Sequence, residues 1–124
     1  MITGIDRSTN LLEKMLDVSS VKHKVIANNI ANINTPGYKK MDVSFADQLE
    51  KTMKNDNRGD FKAVQPKVVV SKDEGGTVRS DGNNVDIDKE VTHLVKNTLS
   101  YNIYTQLLAK KIDSVRSAIE NSRV

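Results

Sequence analysis

A chain of 124 residues accommodates one domain comfortably and two poorly, and with 37% hydrophobic residues and only Phe45, Phe61, Tyr38, Tyr101 and Tyr104 as aromatics its stock for a deep core is thin. Nineteen Lys and Arg against sixteen Asp and Glu leave a net charge of +3, spread without the basic cluster that tracks a phosphate backbone, so nucleic acid is not an expected partner. There is no Cys, which excludes disulfides and thiolate metal sites.

Met1 to Leu16 contains Asp6, Asn10 and Glu13 and lacks the unbroken apolar stretch of a cleaved secretory signal. No apolar run approaches the ~20 residues that span a bilayer. From about Thr9 to Asn34, Leu11, Met15, Val18, Val21 and Val25 follow one another at helical spacing, and Leu12, Leu16, Ile26, Ile30 and Ile33 widen the stripe. The spacing predicts a first helix over residues 9–34, with Ser8 or Thr9 as its N-cap. Asn34-Thr35-Pro36-Gly37 should end it. Pro36 pushes Thr35 out of the α region, and Gly37 can take the positive φ that a type II turn requires at its third position.

Residues 35–85 read as an irregular, partly β extension. Met41 to Met53 is expected to form a short amphipathic piece on Val43, Phe45, Ala46 and Leu49. Asn55 to Asp60 is a polar loop. Val68 to Val70 and Thr77-Val78, separated by Asp73-Glu74-Gly75-Gly76, suggest a small hairpin. Ser80-Asp81-Gly82-Asn83-Asn84 is turn-rich and leads into a second helix over residues 86–120.

In that second helix Ile87, Val91, Leu94, Thr98, Tyr101, Thr105, Leu108, Ile112, Val115 and Ile119 alternate in steps of four and three, a heptad seam. Asp86 or Asp88 is placed to cap it, with acid at the positive end of the helix dipole and Lys110, Lys111 and Arg116 toward the other. From Ile87 to Ile119 it would be about 50 Å long at ~1.5 Å per residue. The eight apolar seam residues supply roughly 12 to 24 kcal/mol if fully buried, less than the ~1 to 2 kcal/mol per residue needed to fix about thirty residues of backbone. Partners are therefore required. A second stripe of Val95, Leu99, Ile103 and Leu107 implies more than one. The expected fold is mainly α, a single domain over residues 1–124 in which long N- and C-terminal helices pair as a coiled coil.

Catalytic chemistry finds no anchor. His23 and His93 lack the three or four ligands of a metal site. Asp81, Asn83, Asp86 and Asp88 fail the EF-hand pattern, which wants an oxygen ligand at Val85 and a Glu at Thr92. Gly75-Gly76 lacks the Lys-Ser/Thr of a P-loop. No nucleophile-elbow serine or acid–base pair is present, so neither an enzymatic activity, a small-molecule substrate nor a cofactor is expected. Arg58-Gly59-Asp60 is a tripeptide short enough to recur by chance and reads as loop.

One stretch does not fit a plain helix end. Asn28, Asn29, Asn32 and Asn34 place four poor helix formers within seven residues. Their amides can bond across a helix seam and fix register, or satisfy the helix's last carbonyls. The sequence Ala27 to Lys39 (ANNIANINTPGYK) resembles the N-terminal signature of bacterial flagellar rod and hook proteins. Asp42-Val43-Ser44-Phe45, Asp81-Gly82-Asn83-Asn84-Val85-Asp86 and Tyr101 to Leu108 (YNIYTQLL) are similar to the proximal-rod members of that family. The likeness is weakest over Glu50 to Lys72.

The resemblance implies a structural subunit of the proximal rod, exported without a cleaved signal and located in the basal body across the periplasm. It further implies that the terminal helices polymerise into a torque-transmitting shaft. Partners would be copies of the chain, other rod proteins, and membrane-embedded ring and export-gate proteins at the rod base. Asn28, Asn29, Asn32, Thr35, Pro36, Gly37 and Tyr38 would then form an assembly motif beside the seam. The alternatives are another short rod protein of the same family and a free coiled-coil adaptor.

Overall fold

The computed structural model describes residues 2–45, 69–72 and 75–122. Helix α1 spans Ile2–Ala31. It starts before Ser8 and Thr9, which lie inside it rather than capping it, because the apolar spacing continues backward through Ile5 and Ile2. Its regular turns stop at Ala31, short of Asn34, where the pattern tightens: Ile33 N donates to Ile30 O at 3.2 Å and Thr35 N to Asn32 O at 3.0 Å. Thr35 to Tyr38 then form the type II turn expected of Pro36-Gly37, with Gly37 at φ +73° and Tyr38 N donating to Thr35 O at 3.3 Å.

Met41–Ser44 is a strand, β1, and is the described start of the expected amphipathic piece. Val43 points inward while Asp42 and Ser44 face out, the alternation of a half-buried strand. Its partner is β2, Val69–Lys72, paired antiparallel from Met41 opposite Lys72 to Ser44 opposite Val69. The local hairpin with Thr77-Val78 does not form, and Val78 is exposed. The reason is anchorage. β1 is fixed to α1 through Val43, whereas Thr77-Val78 offers two residues and then turns at Arg79 to Gly82. The Asn55 to Asp60 loop and residues 46–53 lie outside the described residues.

Helix α2 spans Ile87–Asn121, about 52 Å at ~1.5 Å per residue. Asp86 is the cap: its Oδ1 accepts from Asp88 N at 3.1 Å and Lys89 N at 3.3 Å. Asp88 and Glu90 add acid to the first turn. The two helices pack antiparallel, since Asn29 meets Glu90 and Ser19 meets Asn97. No helix among the described residues is long and apolar enough to cross a membrane.

The core is small and unusually polar. Val18, Val25 and Val43 cluster with Val21, Met41 and Phe45 against them, and Ile26 and Val85 are also buried. Among the described residues six buried polar ones, Ser19, Asn29, Asn83, Asn84, Glu90 and Asn97, outnumber the five buried apolar ones. Directional bonds therefore set the arrangement as much as apolar burial does.

Candidate assembly site

Asn29, in the last turn of α1, is a fully buried side chain at 1% exposure. Its Nδ2 donates to Met41 O at 2.9 Å and to Glu90 Oε2 at 3.1 Å. Its Oδ1 accepts from Met41 N at 2.9 Å and from the Tyr38 hydroxyl at 3.1 Å. Both amide hydrogens and both lone pairs are used, and the Met41 N–H and C=O admit only one orientation of the amide. One side chain thus ties α1 to the turn, to the first residue of β1 and to the first turn of α2. Burial, and then the Glu90 carboxylate, raise the Tyr38 phenol above its ordinary value, so the neutral hydroxyl that Asn29 needs is the favoured form.

Asn83 does the complementary work from the other side of the chain. It has no exposed surface. Its Nδ2 lies 2.9 Å from Asn32 O, 3.1 Å from Ile33 O and 2.9 Å from Thr35 O, while its Oδ1 accepts from Val85 N at 2.8 Å. The carbonyls of Asn32, Ile33 and Thr35, just beyond the last regular turn of α1, are thus held by a residue about fifty positions later. Arg79 also donates to Ile33 O. The Arg79 guanidinium and the Asn83 N–H hold the Asp81 carboxyl below the usual carboxylate range.

Around these two amides the segments 37–40 and 81–84 are stitched side by side. Gly37 N donates to Asp81 O at 2.8 Å, Lys39 Nζ to Gly82 O at 2.8 Å, Lys40 N to Asn84 Oδ1 at 2.7 Å and Asn84 N to Tyr38 O at 3.4 Å. Gly82 has φ +82°, and a Cβ built on it would stand 3.4 Å from Gly37 Cα. Gly82→Ala should therefore destabilise the corner by about 1–2 kcal/mol, the cost of left-handed backbone for a residue with a Cβ. Denaturant unfolding of the purified variant measures it, and an unchanged midpoint would contradict the geometry.

The residues of the expected motif divide. Asn29, Tyr38 and Gly37 lie in the corner. Asn32 serves its own helix, its Nδ2 donating to Asn28 O at 2.8 Å, and accepts from Thr35 Oγ1 at 3.1 Å. Asn28, Thr35 and Pro36 present exposed side chains. The structure adds Asn83, Glu90 and Asn97, whose Nδ2 donates to Ser19 O at 2.8 Å across the helix pair. The sequence marks Asn83 as turn chemistry and as part of the rod-protein likeness, without showing what it bonds. His23 and His93 are exposed and hold nothing together.

The seam residues also divide. Leu94, Leu108 and Val115 are half-buried, whereas Ile87, Val91, Thr98, Tyr101, Thr105, Ile112 and Ile119 are exposed. The face that α2 turns to α1 is entered at Glu90 and Asn97, polar positions invisible to an apolar count. The exposed side instead carries an unbroken i, i+4 ridge of Ile87, Val91, Val95, Leu99, Ile103 and Leu107, each 41–62% exposed. Such a ridge is the element that enters the groove of another helix.

A family model described as "Flagella basal body rod protein" matches residues 19–39, the stretch that ends at the type II turn and contains Asn29. The chain is 33% identical to the flagellar basal body rod protein FlgB of Borreliella burgdorferi, over 96% of this chain and all of the relative. It is 34% identical to FlgB of Bacillus subtilis over 90% of this chain and 92% of the relative. It is 26% identical to FlgB of Escherichia coli over 98% and 99%. With identity above 30% along nearly its whole length, joined to two long packed helices and the matched corner, the chain belongs to the FlgB family of flagellar basal-body rod proteins and is a structural subunit of that rod.

Proposed function

We propose that the chain polymerises through its terminal helices into the proximal part of the rod, where it carries torque between the membrane ring and the rest of the shaft and performs no catalysis. It is exported without a cleaved signal and stands in the periplasm. Its neighbours are copies of itself, other rod proteins, and ring and export-gate proteins at the base. The observation that carries this reading is the exposed apolar ridge of α2 beside a corner whose polar groups are satisfied internally. A face of this kind on a lone chain wants cover.

Leu108→Asp tests it, because Leu108 is a half-buried seam residue of α2. The expected result is loss of swimming and absence of the chain from isolated basal bodies, with cellular expression unchanged. Normal swimming would overturn the proposal. Co-purification of the native chain with ring and export-gate proteins is expected of a proximal subunit; contact with rod proteins alone would place it further along the shaft.

A further inference from the structure

We infer that Glu90 and Asn97 are positioning residues that decide which side of α2 lies against α1, and that they keep an apolar stripe of α2 turned away from the chain's own first helix. The use of that stripe, cover by neighbours, rests on the assembly reading above; the choice of side does not.

Three columns of residues, each spaced seven apart, run along α2. The first is polar: Glu90, Asn97, Tyr104 and Lys111. The second is Leu94, Tyr101, Leu108 and Val115, and the third is Val91, Thr98, Thr105, Ile112 and Ile119. At about 100° per residue the second column lies roughly 40° round the helix from the first, and the third about 60° beyond it. α1 can therefore cover the second column together with either flank.

Burial shows which flank is taken. Glu90 is 4% and Asn97 7% exposed, and Tyr104 and Lys111 are half-buried, whereas every member of the third column is exposed. Apolar burial alone favours the opposite choice, because the third column offers Val91, Ile112 and Ile119 where the first offers a carboxylate, an amide, a phenol and an ammonium. The polar groups of α1 reverse that preference. Asn29 Nδ2 donates to Glu90 Oε2 at 3.1 Å, and Asn97 Nδ2 donates to Ser19 O at 2.8 Å. The third column has no such donor to give, since the hydroxyls of Thr98 and Thr105 are spent on Leu94 O and Tyr101 O within α2. A polar residue buried in a helix seam fixes the pairing at a cost in stability.

The chain has no Cys, so a single introduced thiol reports its own cover through its labelling rate. Ser100 is half-buried in the groove it shares with Met15 and Phe45, and Thr105 is exposed in the third column. On the purified full-length chain, with each rate divided by that of the same variant in denaturant, Thr105→Cys should label at least about threefold faster than Ser100→Cys. Asn97→Asp keeps the size of the side chain but sets a carboxylate, which cannot donate, against Ser19 O. In that background α1 should move to the third column: the Thr105→Cys thiol slows and the Ser100→Cys thiol becomes the faster of the two. Loosening of the helix pair speeds both thiols, so a slowed Thr105→Cys distinguishes a change of side from a loss of stability. Should Asn97→Asp unfold, Asn97→Ala carries the same expectation. Equal rates at the two positions in the native chain overturn the inference, as does a folded Asn97 variant in which Thr105→Cys fails to slow, or unfolding by both substitutions. The labelling is measured on the free chain and does not depend on assembly. A reversed order in a variant that still enters basal bodies would sink the assembly reading of the stripe and spare the choice of side.

Discussion

Replacing Asn29 with Ala should cost the chain a large share of its stability. The amide makes four hydrogen bonds, to Met41 N, Met41 O, the Tyr38 hydroxyl and Glu90. Its removal leaves all four groups without that partner, and Glu90 is a charge at 4% exposure. An abandoned buried polar group costs about 1–3 kcal/mol. Met41 and Tyr38 are half-buried and recover part of this from water, so a total of about 3–4 kcal/mol is expected. Asn29→Asp should not rescue it, because a second carboxylate would face Glu90 at close range. Denaturant unfolding of the purified chain gives the number and a swimming assay its consequence. A loss below about 0.5 kcal/mol, typical of an unremarkable surface change, would show that the amide is not the keystone described.

The second large effect separates folding from assembly. Leu99→Asp combined with Leu107→Asp alters two ridge residues that are 60% and 47% exposed. The isolated chain should hardly notice, with stability changed by less than about 1 kcal/mol. In an assembled shaft the same carboxylates would be trapped against an apolar neighbour, where an unpaired charge costs several kcal/mol. They would also remove part of the roughly 4–9 kcal/mol available from covering the half-exposed ridge. The double variant should be expressed, retain its corner, and be missing from basal bodies in non-swimming cells, with Leu99→Ala and Leu107→Ala together giving an intermediate phenotype. Swimming at normal speed would mean that the ridge faces solvent in the working assembly.

Much of the architecture was legible because it is written in local chemistry. The helical stripes, the Pro36-Gly37 turn and the Asp86 cap each follow from a few adjacent residues, and each is present. What escaped is long-range and polar. β2 pairs with β1 across 24 intervening residues rather than with its nearer neighbour Thr77-Val78, because the choice depends on which strand is already pinned to α1. The excess of Asn near the end of α1 signalled an unmet purpose, yet only the fold reveals that Asn29 reaches forward while Asn32 serves its own helix. Glu90 and Asn97 escape notice because apolar periodicity assigns polar helix residues to the outside, and Asn83 reads as turn chemistry with no sign of the carbonyls it reaches. In this core they hold inside positions.

Two glycines face each other where the turn after α1 meets the turn before α2, and a side chain on Gly82 would come within 3.4 Å of Gly37. The bonds from Gly37 N to Asp81 O and from Asn84 N to Tyr38 O fix the two loops in register. A twist applied along α2 would reach α1 with little backlash, and a shaft assembled from such joints would turn at one end almost as soon as it is driven at the other.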